Sequence, residues 1–268
     1  MQQSTLNIAK ERRNLIVGLL AAVIVVNAIV FLTHGTEIEQ YIGDLSRVGT
    51  IGSAVILSLI VVKRQKFSGL FGRAYAALAI ALALWLVAES IWAYYEIGLG
   101  IETPFPSLAD LFWIAAYIPL GYHVFSTAKF FGKGVKKHTV LIVSAAGALF
   151  LYFYIQAIVG VSELEGPDAL VSLAISIAYP VFDVVLIVPA VLMVTNAGKG
   201  QLTSIPWIFI AWILLVIADS LLGITAVTGF TGEVFHITMT YNAAYLFFTA
   251  GLLWYNKLFI IDEKKLTR

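Results

Sequence analysis

The sequence predicts an all-helical membrane bundle of eight transmembrane helices, and three observations predict it. Hydrophobic residues make up 60% of the 268 and charged residues only 12%, about half the charged fraction of a soluble domain. The mean hydropathy is +0.91, and the apolar residues gather into runs near the length that crosses a bilayer. The lysines and arginines then fall almost wholly on alternate connections between those runs.

Taken in order, the runs predict spans at 14–33, 46–62, 75–97, 108–128, 139–159, 170–195, 206–228 and 238–258. The first follows Lys10, Arg12 and Arg13 as a signal peptide would. It is long for such a segment, though, and ends in Leu32-Thr33-His34-Gly35 with no small-residue cleavage site, so it reads as a retained helix. After span 2 come Lys63, Arg64, Lys66 and Arg73; after span 4, Lys129, Lys133, Lys136 and Lys137; after span 6, Lys199; after span 8, Lys257, Lys264, Lys265 and Arg268. With the three N-terminal cations, 16 of the 17 lie on one side, and Arg47 alone lies opposite. Glu37, Glu39, Asp44, Glu102, Glu163, Glu165, Asp168 and Glu233 share that opposite side. The positive-inside rule puts both termini in the cytoplasm of a multi-pass cell-membrane protein, and an even number of spans agrees.

Several chemistries drop out. Without cysteine there is no disulfide, thiolate metal site or cysteine nucleophile. His34, His123, His138 and His236 fall in or near loops at no ligand spacing, so no metal is implied. No lysine lies in the middle of a span to carry a Schiff base. No cofactor is implied and nothing points to nucleic acid. The net charge of +1 names no partner beyond the lipid bilayer that the hydropathy requires.

The chain also reads as one membrane domain of two parallel four-helix repeats, 1–130 and 131–268. "LWLVAESIW" (84–92) aligns with "LLVIADSLL" (214–222), which sets Glu89 opposite Asp219. "AAY" (115–117) aligns with "AAY" (243–245), which sets Tyr117 opposite Tyr245. Spans 1–2 and 5–6 show no comparable match.

Polar residues within the spans are the candidate functional groups, because a charge at mid-bilayer costs about 2.5–3.5 kcal/mol on insertion scales and tends to face the bundle interior. Glu89 lies about 21 Å along its helix from the inner end, with Trp85, Trp92 and Glu96 on its face. Asp219 lies at similar height beside Gly223, which permits close helix approach. Asp183 is near the middle of span 6 under Tyr179 and Ser176, and Pro180 frees the Ser176 carbonyl. Asn242, Tyr245 and Thr249 form a stripe on span 8. Such acids serve either as separate hydrogen-bonded glue between helices or as the lining of one polar cavity, and three at comparable depth favour the cavity. Two carboxylates brought together in low dielectric do not both ionise easily, which suits proton relay, acid catalysis or head-group binding.

The stretch "PFPSLADLFWIAAYIPLGYH" (104–123) opens on two prolines that hold an outer loop. Ser107 and Asp110 have the spacing of a capping box, and an acid in the first turn also suits the helix dipole. Below the cap, Trp113, Tyr117 and Gly121 share one face, and Pro119 frees the Ala115 carbonyl and can kink the helix. Trp92, Tyr94 and Tyr95 read as an aromatic belt at the outer edge.

With those motifs in hand, the order "AES-I-W", "PFPSLADLFWIAAYIPL", "AYPVFDVVL", "IADSLLG" resembles the multi-span membrane sensory regions at the head of bacterial and archaeal diguanylate cyclases and histidine kinases. The resemblance covers roughly residues 80 to 250. It implies an eight-helix sensor of a membrane-soluble or outer-side signal, with Glu89, Asp110, Asp183 and Asp219 as its polar positions. Only about ten residues follow span 8, so output is expected to pass to a separate cytoplasmic signalling protein or a membrane complex. Spans 7–8, "ADSLLGI" and "ITMTYNAAYLFFTAGLL", also resemble the YhhN-like lysoplasmalogenases, eight-span hydrolases of vinyl-ether lipids. That likeness implies Glu89 and Asp219 as the catalytic pair, one protonating the vinyl ether and the other activating water; where that family usually has Gly-Asp, this chain has Ala88-Glu89.

The resulting expectation is a sensory or regulatory module that binds a small or lipid-like ligand in a polar intramembrane cavity. The binding residues expected are Trp85, Glu89, Asp110, Trp113, Tyr117, Tyr179, Asp183, Asp219, Asn242 and Tyr245. The alternatives are a lipid hydrolase and an accessory subunit of a membrane complex.

Overall fold

A computed structural model describes residues 2–131, 136–161, 169–196, 205–228 and 235–266. Lys133, Lys199, Arg268, Glu163, Glu165, Asp168 and Glu233, all used in the charge count, lie outside them. The described residues form eight helices and no strand: α1 (Gln2–Thr33), α2 (Glu39–Gln65), α3 (Gly69–Ala93), α4 (Leu108–Phe131), α5 (Lys137–Val161), α6 (Ala169–Asn196), α7 (Ile205–Thr228) and α8 (Phe235–Leu266). A π-helical turn, Tyr94–Gly98, continues α3.

Seven of these helices are long and apolar enough to cross a membrane. The eighth, α8, is as long as α1 at 32 residues, and Thr238, Tyr241, Asn242, Tyr245 and Thr249 punctuate it. All of these except Thr249 are buried. A polar stripe is tolerable there because neighbouring helices, not lipid, satisfy it.

In the packing, α3 lies against α2 and α4, while α8 lies against α1, α2 and α7; α6 touches α4, α5 and α7. Ile51, Leu78, Leu82, Leu120, Trp212, Phe248 and Leu252 fill the centre. On α1, Val17, Leu20 and Ile24 face outward, as do Leu141, Ile142, Leu149, Tyr152 and Phe153 on α5. An apolar exterior of this kind is what a hydrocarbon solvent requires.

Two readings of the sequence change. The second helix starts at Glu39 rather than residue 46, so Asp44, which the predicted span left in the loop before it, lies inside the helix with Arg47. They pair with each other at 2.5 Å, so the charges that break the hydropathy run do not break the helix. His123 is likewise not near a loop. It is buried inside α4, with Nδ1 2.9 Å from the Ala74 carbonyl oxygen on α3.

Three local expectations hold. The Ser107 amide donates to Asp110 Oδ2 at 2.7 Å and the Ala109 amide to Ser107 Oγ at 3.2 Å, which caps α4. Pro180 leaves the Ser176 carbonyl free, and the Tyr154 hydroxyl of α5 donates to it at 3.2 Å. Gly223 makes room for that same hydroxyl, since a Cβ there would sit 2.3 Å from Tyr154 Oη.

Candidate functional site

The polar side chains run from the helix ends that meet loops 34–38 and 99–107 to the interior of the bundle, where Asp183 and Asp219 lie in mid-helix. They form two adjoining networks.

The first is centred on Arg47. Its guanidinium contacts Asp44 at 2.5 Å, and its Nε lies 3.3 Å from Glu89 Oε2 on α3. Its Cζ sits 5.5 Å from the Trp92 ring centroid, within cation–π range. The other Glu89 oxygen accepts a hydrogen bond from the Tyr245 hydroxyl of α8 at 2.7 Å. Arg47 is only 12% exposed and Asp44 and Glu89 2%. Removing such charges from water is costly unless they are paired, and here Arg47 pairs with Asp44 of its own helix and with Glu89 of α3, while Asp44 Oδ2 has no donor. Trp92 is therefore no simple belt residue; it packs on Arg47 and, at 5.6 Å between ring centroids, on Trp113.

The second network joins acids to tyrosines. The Tyr117 hydroxyl of α4 donates to Asp183 Oδ1 at 2.7 Å and also lies 3.2 Å from Asp219 Oδ2. One phenolic proton thus bridges carboxyls of α6 and α7. Tyr241 of α8 donates to the other Asp219 oxygen. Tyr179 of α6 donates to Asp110 Oδ1 at 2.8 Å, so Asp110 both caps its helix and ties α4 to α6. Asp183 is buried, and its Oδ2 has no donor.

The networks meet in a row of rings. Tyr241 and Tyr245 stack with centroids 6.1 Å apart, and Trp85 stands 6.4 Å from Tyr117 and 6.5 Å from Tyr245. Between the rings is a cavity of about 30 Å³, room for about two water molecules. Its walls are Trp85, Phe105, Trp113, Tyr117, Tyr179, Leu215, Asp219, Leu222, Gly223, Tyr241 and Tyr245.

Of the residues proposed from sequence, Trp85, Trp113, Tyr117, Tyr179, Asp219 and Tyr245 line this cavity. Asp110 and Asp183 stand behind it, one hydrogen bond away through Tyr179 and Tyr117. Glu89 stands behind Tyr245 and is committed to Arg47. Asn242 is elsewhere: it accepts from the Thr50 hydroxyl at 3.0 Å and donates to Ser46 Oγ at 2.8 Å, clamping α8 to α2.

Arg47, Tyr241 and Phe105 were missed. Tyr241 could have been found, since it sits one helical turn before Tyr245 on the same face. Arg47 stands at the outer end of the predicted span 46–62, and no local pattern names the Glu89 and Trp92 side chains that it meets. Phe105 reaches the cavity from the loop before α4, whose course no periodicity encodes.

Among the described residues, no three histidine, aspartate or glutamate side chains are grouped to hold a metal ion. What the arrangement offers is a small aromatic chamber with one carboxylate in its wall and a bridged second acid behind it. Comparison with family models, curated proteins and solved structures finds no match for this chain.

Proposed function

We propose that this chain is a sensory or regulatory module of the cell membrane, which binds a small or lipid-like ligand in the chamber beside Asp219. In this reading α8 also crosses the membrane, both termini are cytoplasmic, and the chamber lies in the outer half of the bilayer. One observation carries the reading. Helices α3, α4, α6, α7 and α8 meet around a cavity edged with hydroxyls and a carboxylate, where purely structural packing would close a dry seam. A ligand there touches five helices at once, and a change in their spacing is the simplest signal that a bundle can send.

The two-repeat organisation belongs to the same proposal. A two-fold relation that exchanges Glu89 with Asp219 and Tyr117 with Tyr245 also exchanges their contacts. Tyr245 donates to Glu89 and Tyr117 to Asp219, so the acid of each half takes the tyrosine of the other. Trp85 lies almost equally far from both tyrosines.

A lipid hydrolase of the Glu89–Asp219 type draws less support, because Glu89 is held by Arg47 and Tyr245 and does not line the cavity.

The absence of cysteine makes the test clean. Spin labels at Lys63→Cys on α2 and Lys129→Cys on α4 report the spacing of the lysine-rich helix ends. The sensor reading expects small polar or lipid-like compounds that stabilise the protein to shift that distance, and Asp219→Asn to abolish the shift. Turnover of a vinyl-ether lysolipid with no distance change would replace it with the hydrolase. No response to any ligand, together with a stable complex with another membrane protein, would replace it with the subunit.

A further inference from the structure

We infer that the chamber beside Asp219 recognises an ammonium group, either of a small free amine or of a lipid head group. The inference rests on the reading of the chamber as a ligand site and names the chemistry of its ligand.

The first argument is charge. Asp44, Glu89, Asp110 and Asp183 are buried and Asp219 lines the cavity. Among the described side chains Arg47 is the single enclosed cation, and it is taken by Asp44 and Glu89. Asp110 receives donors from Ser107 and Tyr179. Asp183 and Asp219 share the Tyr117 hydroxyl, Asp219 also takes that of Tyr241, and the two carboxyls contact each other, with no cation beside them among the described side chains. A positive charge entering the cavity meets the Asp219 carboxyl of an acid pair that no cation neutralises, and an anion meets none of its complement.

The second argument is the wall. Trp85, Trp113, Tyr117, Tyr179, Tyr241 and Tyr245 surround the space. Aromatic faces carry negative charge density and attract cations, tryptophan most strongly. A bare metal ion instead needs several oxygen ligands at short range, and the one carboxylate and scattered phenols here do not make such a shell. An ammonium group needs one strong acceptor, a few hydroxyl oxygens and aromatic rings, and the walls supply Asp219, four tyrosines and two tryptophans. The volume of about 30 Å³ limits the buried part to roughly two or three heavy atoms.

The test is direct binding of radiolabelled methylammonium to the full chain in nanodiscs of phosphatidylglycerol, at constant ionic strength. The expected result is saturable binding that excess unlabelled methylammonium displaces and methanol or sodium does not. Asp219→Asn should weaken it on the order of thirtyfold or more. Trp113→Leu should weaken it about fivefold, with Trp113→Phe between that and wild type; this pair decides the matter if Asp219→Asn fails to fold. Discs containing half phosphatidylethanolamine separate the sources. Loss of methylammonium binding there assigns the site to the lipid head group, and retained binding assigns it to a free amine. Absence of saturable binding, binding indifferent to both Asp219 and Trp113, or equal displacement by sodium would overturn the inference. If a neutral compound still changed the Lys63–Lys129 distance through Asp219, the sensor reading would stand without it.

Discussion

Tyr245 donates a 2.7 Å hydrogen bond to Glu89 across the α8–α3 interface, and the same carboxylate holds Arg47 of α2. Three helices are therefore fixed by one buried carboxylate. Removing the hydroxyl leaves Glu89 with a single partner, so Tyr245→Phe should cost about 1–3 kcal/mol with the ring packing intact. Unfolding in graded denaturing detergent measures it. Tyr117→Phe should cost at least as much, because it strips a donor from both Asp183 and Asp219.

Arg47 gives a larger effect. Arg47→Met strands Asp44 and Glu89 as unpaired buried charges and should destabilise the fold by about 3–5 kcal/mol. The triple variant Arg47→Met, Asp44→Asn, Glu89→Gln removes the stranded charges and should recover most of that loss. A triple variant no more stable than the single would mean that Arg47 acts through packing on Trp92.

Gly223 is a steric prediction. A Cβ at this position sits 2.3 Å from Tyr154 Oη and 3.3 Å from the Ser176 carbonyl oxygen. Gly223→Ala should therefore cost about 1–3 kcal/mol, measured by the same unfolding assay. Tyr154→Phe in that background removes the clashing oxygen and should restore part of it.

The cap of α4 separates two roles of one acid. Ser107→Ala removes only the side-chain cap and should cost about 1 kcal/mol. Asp110→Ala removes the cap and the Tyr179 acceptor together and should cost more, while Tyr179→Phe in the Asp110→Ala background should add little. A double-mutant cycle on thermal stability checks the coupling.

Much of this was legible in the sequence, for identifiable reasons. Hydropathy located the helices, since only long apolar runs cross lipid. The capping spacing of Ser107 and Asp110 and the freed Ser176 carbonyl before Pro180 are local rules, and local rules are written in adjacent residues. Glu89, Asp219, Tyr117 and Tyr245 stood out as polar groups in apolar runs, and all four take part in hydrogen bonds between helices. Tertiary choice was not legible. Asn242 and Tyr245 share a helix face, yet Asn242 bonds to α2 and Tyr245 to α3, because α8 is wedged between neighbours that no single-helix pattern names. Arg47 was hidden for the same reason: its partner Glu89 lies 42 positions away in the chain, and a hydropathy window counts a paired charge like a bare one.

The central claim is that Asp219 and the tyrosines around it bound a ligand chamber and do not simply glue helices together. A high-resolution density map of the protein in native lipid tests it most directly. The account predicts non-protein density between Asp219, Trp113 and Tyr241, in contact with the carboxylate. A map in which Leu215, Leu222 and the rings close on one another, leaving no space beside Asp219, would contradict it.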